Sequence, residues 1–200
     1  MSVLKDTNII KNESKVSEIF ENLTSKPFTT IKYDKPHDYI HYYWDRYIKF
    51  TWTTTSEKSV NGAIFELIIY TLLHREQILP FYTQAKVAFV PNIEFDTILY
   101  SKASPICLSL KTSLRERYKQ ADLEAIALKY VHRKAKCYLL TLSEKEAESV
   151  RKKIGIGDII GLDDVIDCNN SQIDNLITEL KKYKFTESTS IDIVTGNLIK

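Results

Sequence analysis

Asp96 and Lys111 occupy positions at which two adjacent strands would bring their side chains together. The segment 102–105 has the composition of a turn, and a symmetric turn there sets Asp96 directly opposite Lys111 in an antiparallel hairpin. Ser109 shares the strand face of Lys111, because alternate side chains of a strand point to the same side. Carboxylate and ammonium groups are typical of acid–base catalysis. The plainer interpretation is an exposed cross-strand ion pair, which stabilises a fold only slightly.

Glu66 lies in an apolar helical segment, residues 63–70, and its neighbours one turn away are almost entirely nonpolar. Burying an unpaired carboxylate costs free energy, so Glu66 requires a cation, a metal ion or a network of hydrogen bonds. The alternative to a functional role is a single structural salt bridge.

Glu124 lies in a predicted helix, residues 114–131, on one flank of its apolar stripe. This helix follows the strand that carries Lys111, so we expect Glu124 near the edge of the core, beside the face of Asp96 and Lys111. Arg117 lies on the same flank. The alternatives for Glu124 are a solvated helix charge or an ion pair with Arg117.

Arg115, Glu116 and Arg117 open the same predicted helix. Ser113 and Glu116 have the spacing of a capping box, which offers Glu116 a purely structural role. Capping does not explain the two arginines, because the positive end of a helix dipole disfavours cations. Arginine forms paired hydrogen bonds with guanine, and glutamate accepts one from cytosine. The cluster is therefore typical of a site that binds anions or C:G base pairs.

Taken in order, Asp96, Lys111, the Arg-Glu-Arg cluster and Glu124 resemble the motif of the PD-(D/E)XK nuclease superfamily. The resemblance is closest to the Type II restriction endonucleases that recognise sites containing CC:GG, and it covers roughly residues 59–142. In that group, a glutamate of the following helix often replaces the second acidic residue of the motif. An Arg-Asp/Glu-Arg cluster recognises the C:G pairs, and a further helical glutamate lies upstream, as Glu66 does here.

The sequence departs from the family motif at two positions. Phe95 stands before Asp96, where the family has proline, and Ser109 occupies the acidic position. The second departure makes the implied metal site depend on Glu124. Ser109 and Gln120 are minor candidates for the site.

The resemblance implies hydrolysis of DNA phosphodiesters with Mg²⁺, which prefers carboxylate, water and phosphate oxygens. Asp96 and Glu124 would be the metal ligands, and Glu66 an outer ligand or the holder of a water network. Lys111 would orient the attacking water, help to deprotonate it and neutralise charge on the phosphate. The metal would lower the pKa of the water and polarise the phosphate.

The implied partner is double-stranded DNA with a short palindromic site containing C:G pairs, contacted by Arg115, Glu116 and Arg117. A symmetric site cut on both strands requires two related active sites, so we expect a homodimer. A restriction–modification system also implies a cognate DNA methyltransferase. Two alternatives stay open: a structure-specific repair nuclease or resolvase of the same superfamily, and a catalytically inactive DNA-binding protein.

Two other motifs have weaker support. His37 and His41 have the spacing of a zinc-binding helix, but no third ligand is evident and their aromatic surroundings favour packing. The aromatic stretch 39–52 is typical of a core or a dimer interface, and stacking of a displaced base on Trp44 or Trp52 is the functional alternative.

The order of predicted elements indicates an α/β fold with a mixed, partly antiparallel sheet flanked by helices, and the resemblance implies a restriction-endonuclease-like core. The predicted helices are 13–22, 59–75, 114–131, 143–153 and 171–183, and the predicted strands are 86–90, 93–100, 106–111 and 137–142. We expect a single nuclease domain over residues 1–200, with a helical and aromatic part (1–58), a catalytic core (59–142) and C-terminal helices with a polar tail (143–200).

Composition limits the class of protein. The formal net charge of +2 indicates no bulk affinity for nucleic acid, so any basic surface is local. No apolar run is long enough for a membrane span, and no export signal is visible. Three cysteines without a CxxC pair argue against a disulfide framework and fit the cytoplasm.

Overall fold

The computed structural model of the protein describes residues 2–50, 57–90, 92–102, 104–188 and 193–200. The helices are α1 Val3–Asp6, α2 Lys15–Asn22, α3 Pro36–Lys49, α4 Glu57–Arg75, α5 Arg117–Val131, α6 Glu144–Gly155 and α7 Ser171–Leu180. The strands are β1 Phe81–Val87, β2 Phe95–Leu99, β3 Ile106–Lys111, β4 Lys136–Thr141, β5 Asp164–Asp167 and β6 Ile193–Ile199.

The six strands form one mixed sheet in the order β5-β4-β3-β2-β1-β6. The pairs β3–β4 and β4–β5 are parallel, and the other three pairs are antiparallel. This confirms the predicted α/β class with a partly antiparallel sheet. No helix in the described ranges has both the length and the apolar character that a membrane crossing requires.

Helices cover both faces of the sheet. The alternating residues of β3 show which helices lie on which face. Leu108 and Leu110 pack in the core cluster that contains the buried side chains of α2, α3, α4 and α7. Cys107 packs in the second cluster, with those of α5 and α6. Because strand side chains alternate, Ser109 and Lys111 share the α5 face with Cys107.

The aromatic stretch forms most of α3, which the sequence analysis had not assigned to a helix. Tyr39, Tyr43 and Tyr47 are buried along one side of it, and Trp44 packs against Tyr47 and Phe65. These contacts confirm core packing for the described part of the stretch. Trp52 lies outside the described residues.

Several predicted boundaries are wrong. The first strand is β1, which begins at Phe81 and not at Lys86, and a backbone turn from Val90 to Val87 closes it. The tail, which was expected only to be polar, contributes β6, an edge strand that pairs with β1. The helix expected to start after Ser59, with Ser59 as its cap, begins at Glu57 instead, so Ser59 lies inside α4. These boundaries were missed because the polar residues of an edge strand, and the first residues of a helix, give only a weak periodic pattern of hydrophobic residues.

Candidate active site

Asp96 of β2 and Lys111 of β3 form an ion pair, with 2.8 Å between Lys111 Nζ and Asp96 Oδ2. The expected register is wrong by two residues: Thr97 faces Leu108, so Lys111 reaches Asp96 diagonally and is not directly opposite. A shift of two residues keeps every side chain on its face, which is why the two groups still meet. Their side chains are 14% and 17% exposed, respectively, so this pair is not the exposed surface pair of the plainer interpretation.

Three donors converge on one oxygen of Asp96. The backbone N–H of Leu110 donates to Oδ2 at 2.7 Å, Lys111 Nζ donates at 2.8 Å, and Ser109 Oγ donates at 3.4 Å. Within the described part of the chain, Oδ1 accepts no hydrogen bond. The carboxylate is therefore fixed through one oxygen, and the lone pairs of the other are available to a further ligand.

Glu66 approaches the same strand end from α4, on the opposite face of the sheet. Tyr70 OH donates to its Oε2 at 3.5 Å and Gln84 Nε2 donates at 3.3 Å. No ion pair includes Glu66 among the residues the structure covers, so the salt-bridge alternative is wrong. Burial raises the pKa of Glu66 to about 7, with a further contribution from the negative charge of Asp96 and an opposing one from Lys111.

Sequence reasoning missed two residues that hold this arrangement. Tyr70 has a single hydroxyl proton, which it donates chiefly to the backbone carbonyl of Asp96 at 2.9 Å, against 3.5 Å to Glu66 Oε2, so it ties α4 to β2. Gln84 has a left-handed φ of 49° inside β1, next to an irregularity in the pairing with β6. The spacing of Tyr70 from Glu66 by one helical turn was a usable signal. Nothing in the sequence marks the irregularity at Gln84.

Glu124 of α5 is half-buried, and Gln120 Nε2 donates to its Oε1 at 2.7 Å. Burial raises its pKa, while the hydrogen bond from Gln120 and the charge of Lys111 lower it and the charge of Asp96 raises it. These interactions bring Glu124 into the electrostatic environment of the Asp96–Lys111 pair, as expected. The minor candidate Gln120 acts on Glu124, and the minor candidate Ser109 acts on Asp96.

Only Arg117 of the Arg-Glu-Arg segment lies in α5, as its first residue, so the helix begins three residues later than predicted and Arg115 and Glu116 precede it. Glu116 is the N-terminal cap position, but its side chain makes no capping bond and pairs with Lys119. The capping-box alternative is therefore wrong. Arg115 has a left-handed φ of 40°, a conformation that costs a residue other than glycine about 1–3 kcal/mol.

The guanidinium groups of Arg115 and Arg117 are exposed. Neither forms a hydrogen bond or an ion pair with any residue in the described ranges. The alternative of an Arg117–Glu124 ion pair is therefore wrong, since Glu124 bonds to Gln120. The two guanidiniums therefore leave donors free for an external acceptor.

The two histidines of α3 have structural partners. His37 Nδ1 lies 2.7 Å from Asp174 Oδ2, and His41 Nε2 lies 3.0 Å from the carbonyl oxygen of Asn169. Both contacts join α3 to α7 and the loop before it, which supports the packing interpretation over zinc. Across the described residues, no three His, Cys, Asp or Glu side chains are close enough together to hold a metal ion by themselves.

Comparison of the chain with protein-family models, curated proteins and solved structures finds no match. The site therefore has to be interpreted from its own groups. They are two carboxylates with raised pKa values, an ion-paired aspartate with one oxygen free of hydrogen bonds, an ammonium and two unpaired guanidiniums.

Proposed function

We propose that the protein is a Mg²⁺-dependent endodeoxyribonuclease with a restriction-endonuclease-like core. The observation that carries the proposal is the Asp96–Lys111 pair, at the start of β2 and the end of β3, with Glu66 and Glu124 in its electrostatic field. A buried structural ion pair requires no further carboxylates, and like charges beside it destabilise the fold. Their concentration at one strand end favours a site that binds a cation.

The donor set fits magnesium, which takes few protein carboxylates and completes its shell with water and phosphate oxygens. Asp96, through Oδ1, and Glu124 would hold it. Asp96, Glu66 and Glu124 do not form a three-residue metal cluster among the described residues, so water and phosphate oxygens would have to complete the shell. When bound, the ion would acidify a water molecule and polarise the scissile phosphate.

The side chains of the site have separate roles in the proposed reaction. The ammonium of Lys111, fixed by Asp96, would orient the attacking water and neutralise charge on the phosphate. Glu66, with a pKa of about 7, would accept a proton through the local water network near neutral pH. Tyr70 and Gln84 would keep the carboxylate of Glu66 aimed at this position.

The substrate proposed is double-stranded DNA with adjacent C:G pairs in each half-site. Arg115 and Arg117 would each bond to a guanine, and Glu116, after release from Lys119, would accept from cytosine. The unpaired guanidiniums support base recognition over structure-specific cleavage, which requires no contact with bases. A symmetric target further implies a homodimer, and protection of host DNA implies a cognate methyltransferase.

Digestion of unmethylated phage DNA tests the proposal. The purified protein is incubated with the DNA and Mg²⁺, in parallel with an EDTA control and an Asp96→Asn variant, and the fragment ends are sequenced. We expect discrete fragments with one consensus at their ends, formed only by the wild type with Mg²⁺. Intact DNA, or a smear of random ends, would contradict the proposal.

A further inference from the structure

One carboxylate of α6 holds the backbone in front of the Arg-Glu-Arg segment. The N–H of Leu114 donates to Glu146 Oε2 at 2.8 Å, and the N–H of Arg115 donates to Glu146 Oε1 at 3.0 Å. The spacing of Ser143 and Glu146 is that of a capping box, which would give Glu146 a role at the start of its own helix. In the structure it reaches across to another element and uses both oxygens there.

The contact is charged. Partial burial opposes ionisation of Glu146, but the hydrogen bonds from Leu114 and Arg115 outweigh it and lower the pKa of the carboxyl group. Hydrogen bonds to an ionised acceptor are about twice as strong as neutral ones. Glu146 also lies in the first turn of α6, where the helix dipole favours a negative charge.

Arg115 requires such an anchor because its backbone is in the left-handed region. A strained conformation of this kind persists only where the surroundings fix it. Two contacts provide this: the side chain of Leu114, which is completely buried, and the two hydrogen bonds that Glu146 accepts from the backbone. The guanidinium of Arg115 adds only the attraction of its charge to Glu146, without a hydrogen bond or an ion pair among the described residues.

Resting on the proposed function, we propose that Glu146 is a positioning residue for base recognition. It fixes the peptide groups of Leu114 and Arg115, and thereby sets the position from which Arg115 and Arg117 address the bases. The Asp96–Lys111 pair is held separately, by the ladder of β2 and β3. Loss of Glu146 should therefore reduce sequence discrimination more than it reduces phosphodiester cleavage.

The first measurement needs no DNA. Amide hydrogen exchange is followed in ¹⁵N-labelled wild type, Glu146→Ala, Glu146→Gln and the matched control Glu144→Ala, an exposed carboxylate in the same helical turn. In Glu146→Ala, we expect the amides of Leu114 and Arg115 to exchange about tenfold faster or more, since each loses a bond to a charged acceptor. Glu146→Gln keeps one acceptor and should be intermediate. Unchanged exchange in Glu146→Ala would overturn the inference.

The second measurement uses phage DNA with Mg²⁺ and sequences the fragment ends of the same variants. We expect Glu146→Ala to lower the ratio of consensus to one-mismatch ends about tenfold or more, with a smaller loss in total cleavage. If Glu146→Ala does not fold, Glu146→Gln provides the same test with a smaller change in structure. Glu144→Ala should match the wild type. If the wild type cuts and Glu146→Ala has the same ratio of consensus to one-mismatch ends, the inference is overturned while the proposed function stands. A wild type that never cuts would overturn the proposed function, and with it the role in DNA recognition.

Discussion

The Asp96–Lys111 pair and the Arg-Glu-Arg segment lie a few residues apart along the chain, yet they are held in opposite ways. The pair is largely buried, and donors from β3 fix the Asp96 carboxylate. The side chains of the Arg-Glu-Arg segment are exposed, and Glu146 fixes only the backbone at its start. Under the proposed function the difference corresponds to two tasks: chemistry would require groups in place before the substrate binds, whereas base contacts would form only when the bases arrive.

Breaking the pair is expected to have the largest effect. Asp96→Ala and Lys111→Ala should each lower the cleavage rate about a thousandfold or more, because each removes a preorganised charge that acts on the reacting phosphate. The measurement is the single-turnover cleavage rate at saturating Mg²⁺. Glu94→Gln is the matched control, since it neutralises an exposed carboxylate two residues from Asp96 on the same chain segment. A Lys111→Ala protein that cuts at nearly the wild-type rate would contradict the assignment.

The next variants test whether the carboxylate of Glu124, on α5, acts in the same site as the Asp96–Lys111 pair. Glu124→Ala should be as inactive as Asp96→Ala if Glu124 supplies the second carboxylate that Ser109 cannot. The double variant Ser109→Glu with Glu124→Ala should regain part of the rate, because Ser109 Oγ already lies within 3.4 Å of Asp96 Oδ2. Cleavage rates against Mg²⁺ concentration measure both effects. Full Mg²⁺-dependent activity in Glu124→Ala would remove Glu124 from the site.

The next prediction concerns the stability cost of the buried site. If the site is preorganised for function, the buried carboxylate of Glu66 should lower the free energy of unfolding. Its pKa of about 7 lies above the ordinary 4.5, so the folded state holds this proton more tightly than the unfolded state. The free energy of unfolding is therefore complete below pH 4.5 and falls as the pH rises towards 7. Glu66→Gln should remove that loss and stabilise the protein by about 3 kcal/mol at pH 8, with little change at pH 4.

Urea unfolding of the wild type and of Glu66→Gln at the two pH values measures this difference. The same variant should cut DNA more slowly at pH 8, because the glutamine cannot accept a proton. Glu144→Gln, which neutralises an exposed carboxylate of α6, serves as the control. A Glu66→Gln protein that is less stable than the wild type at pH 8 would show that the carboxylate is a structural partner and not a functional charge.

The sequence predicted the two regions unequally well, for physical reasons. β3 was predicted to the residue, and the meeting of Asp96 with Lys111 survived a wrong register because the period of a strand is two. The start of α5 was predicted too early, because the left-handed backbone of Arg115 cannot belong to an α-helix and Glu146, distant in sequence, binds the N–H groups of Leu114 and Arg115. Gln84 was missed because a local irregularity in a strand has no sequence pattern.

The smallest expected effect, and the one that separates the two regions most sharply, comes from the arginines. Arg115→Ala and Arg117→Ala should each lose about 1–3 kcal/mol of discrimination between the cognate site and a site with one changed C:G pair. Non-specific binding should persist, because it depends on phosphate contacts from other basic residues and weakens with salt. Fold stability should stay within about 0.5 kcal/mol of the wild type, since neither guanidinium has a partner within the described residues.

Competition binding with cognate and altered duplexes over a series of salt concentrations measures both quantities for the arginine variants. Lys145→Ala, which removes an exposed positive charge from α6, is the matched control for net charge. If the arginine variants and Lys145→Ala lose the same affinity for every duplex, the guanidiniums contribute only bulk charge. If the arginine variants lose discrimination while their single-turnover cleavage rate on bound DNA stays near that of the wild type, recognition and chemistry are separable at one strand end. That separation is what the buried pair and the exposed segment predict.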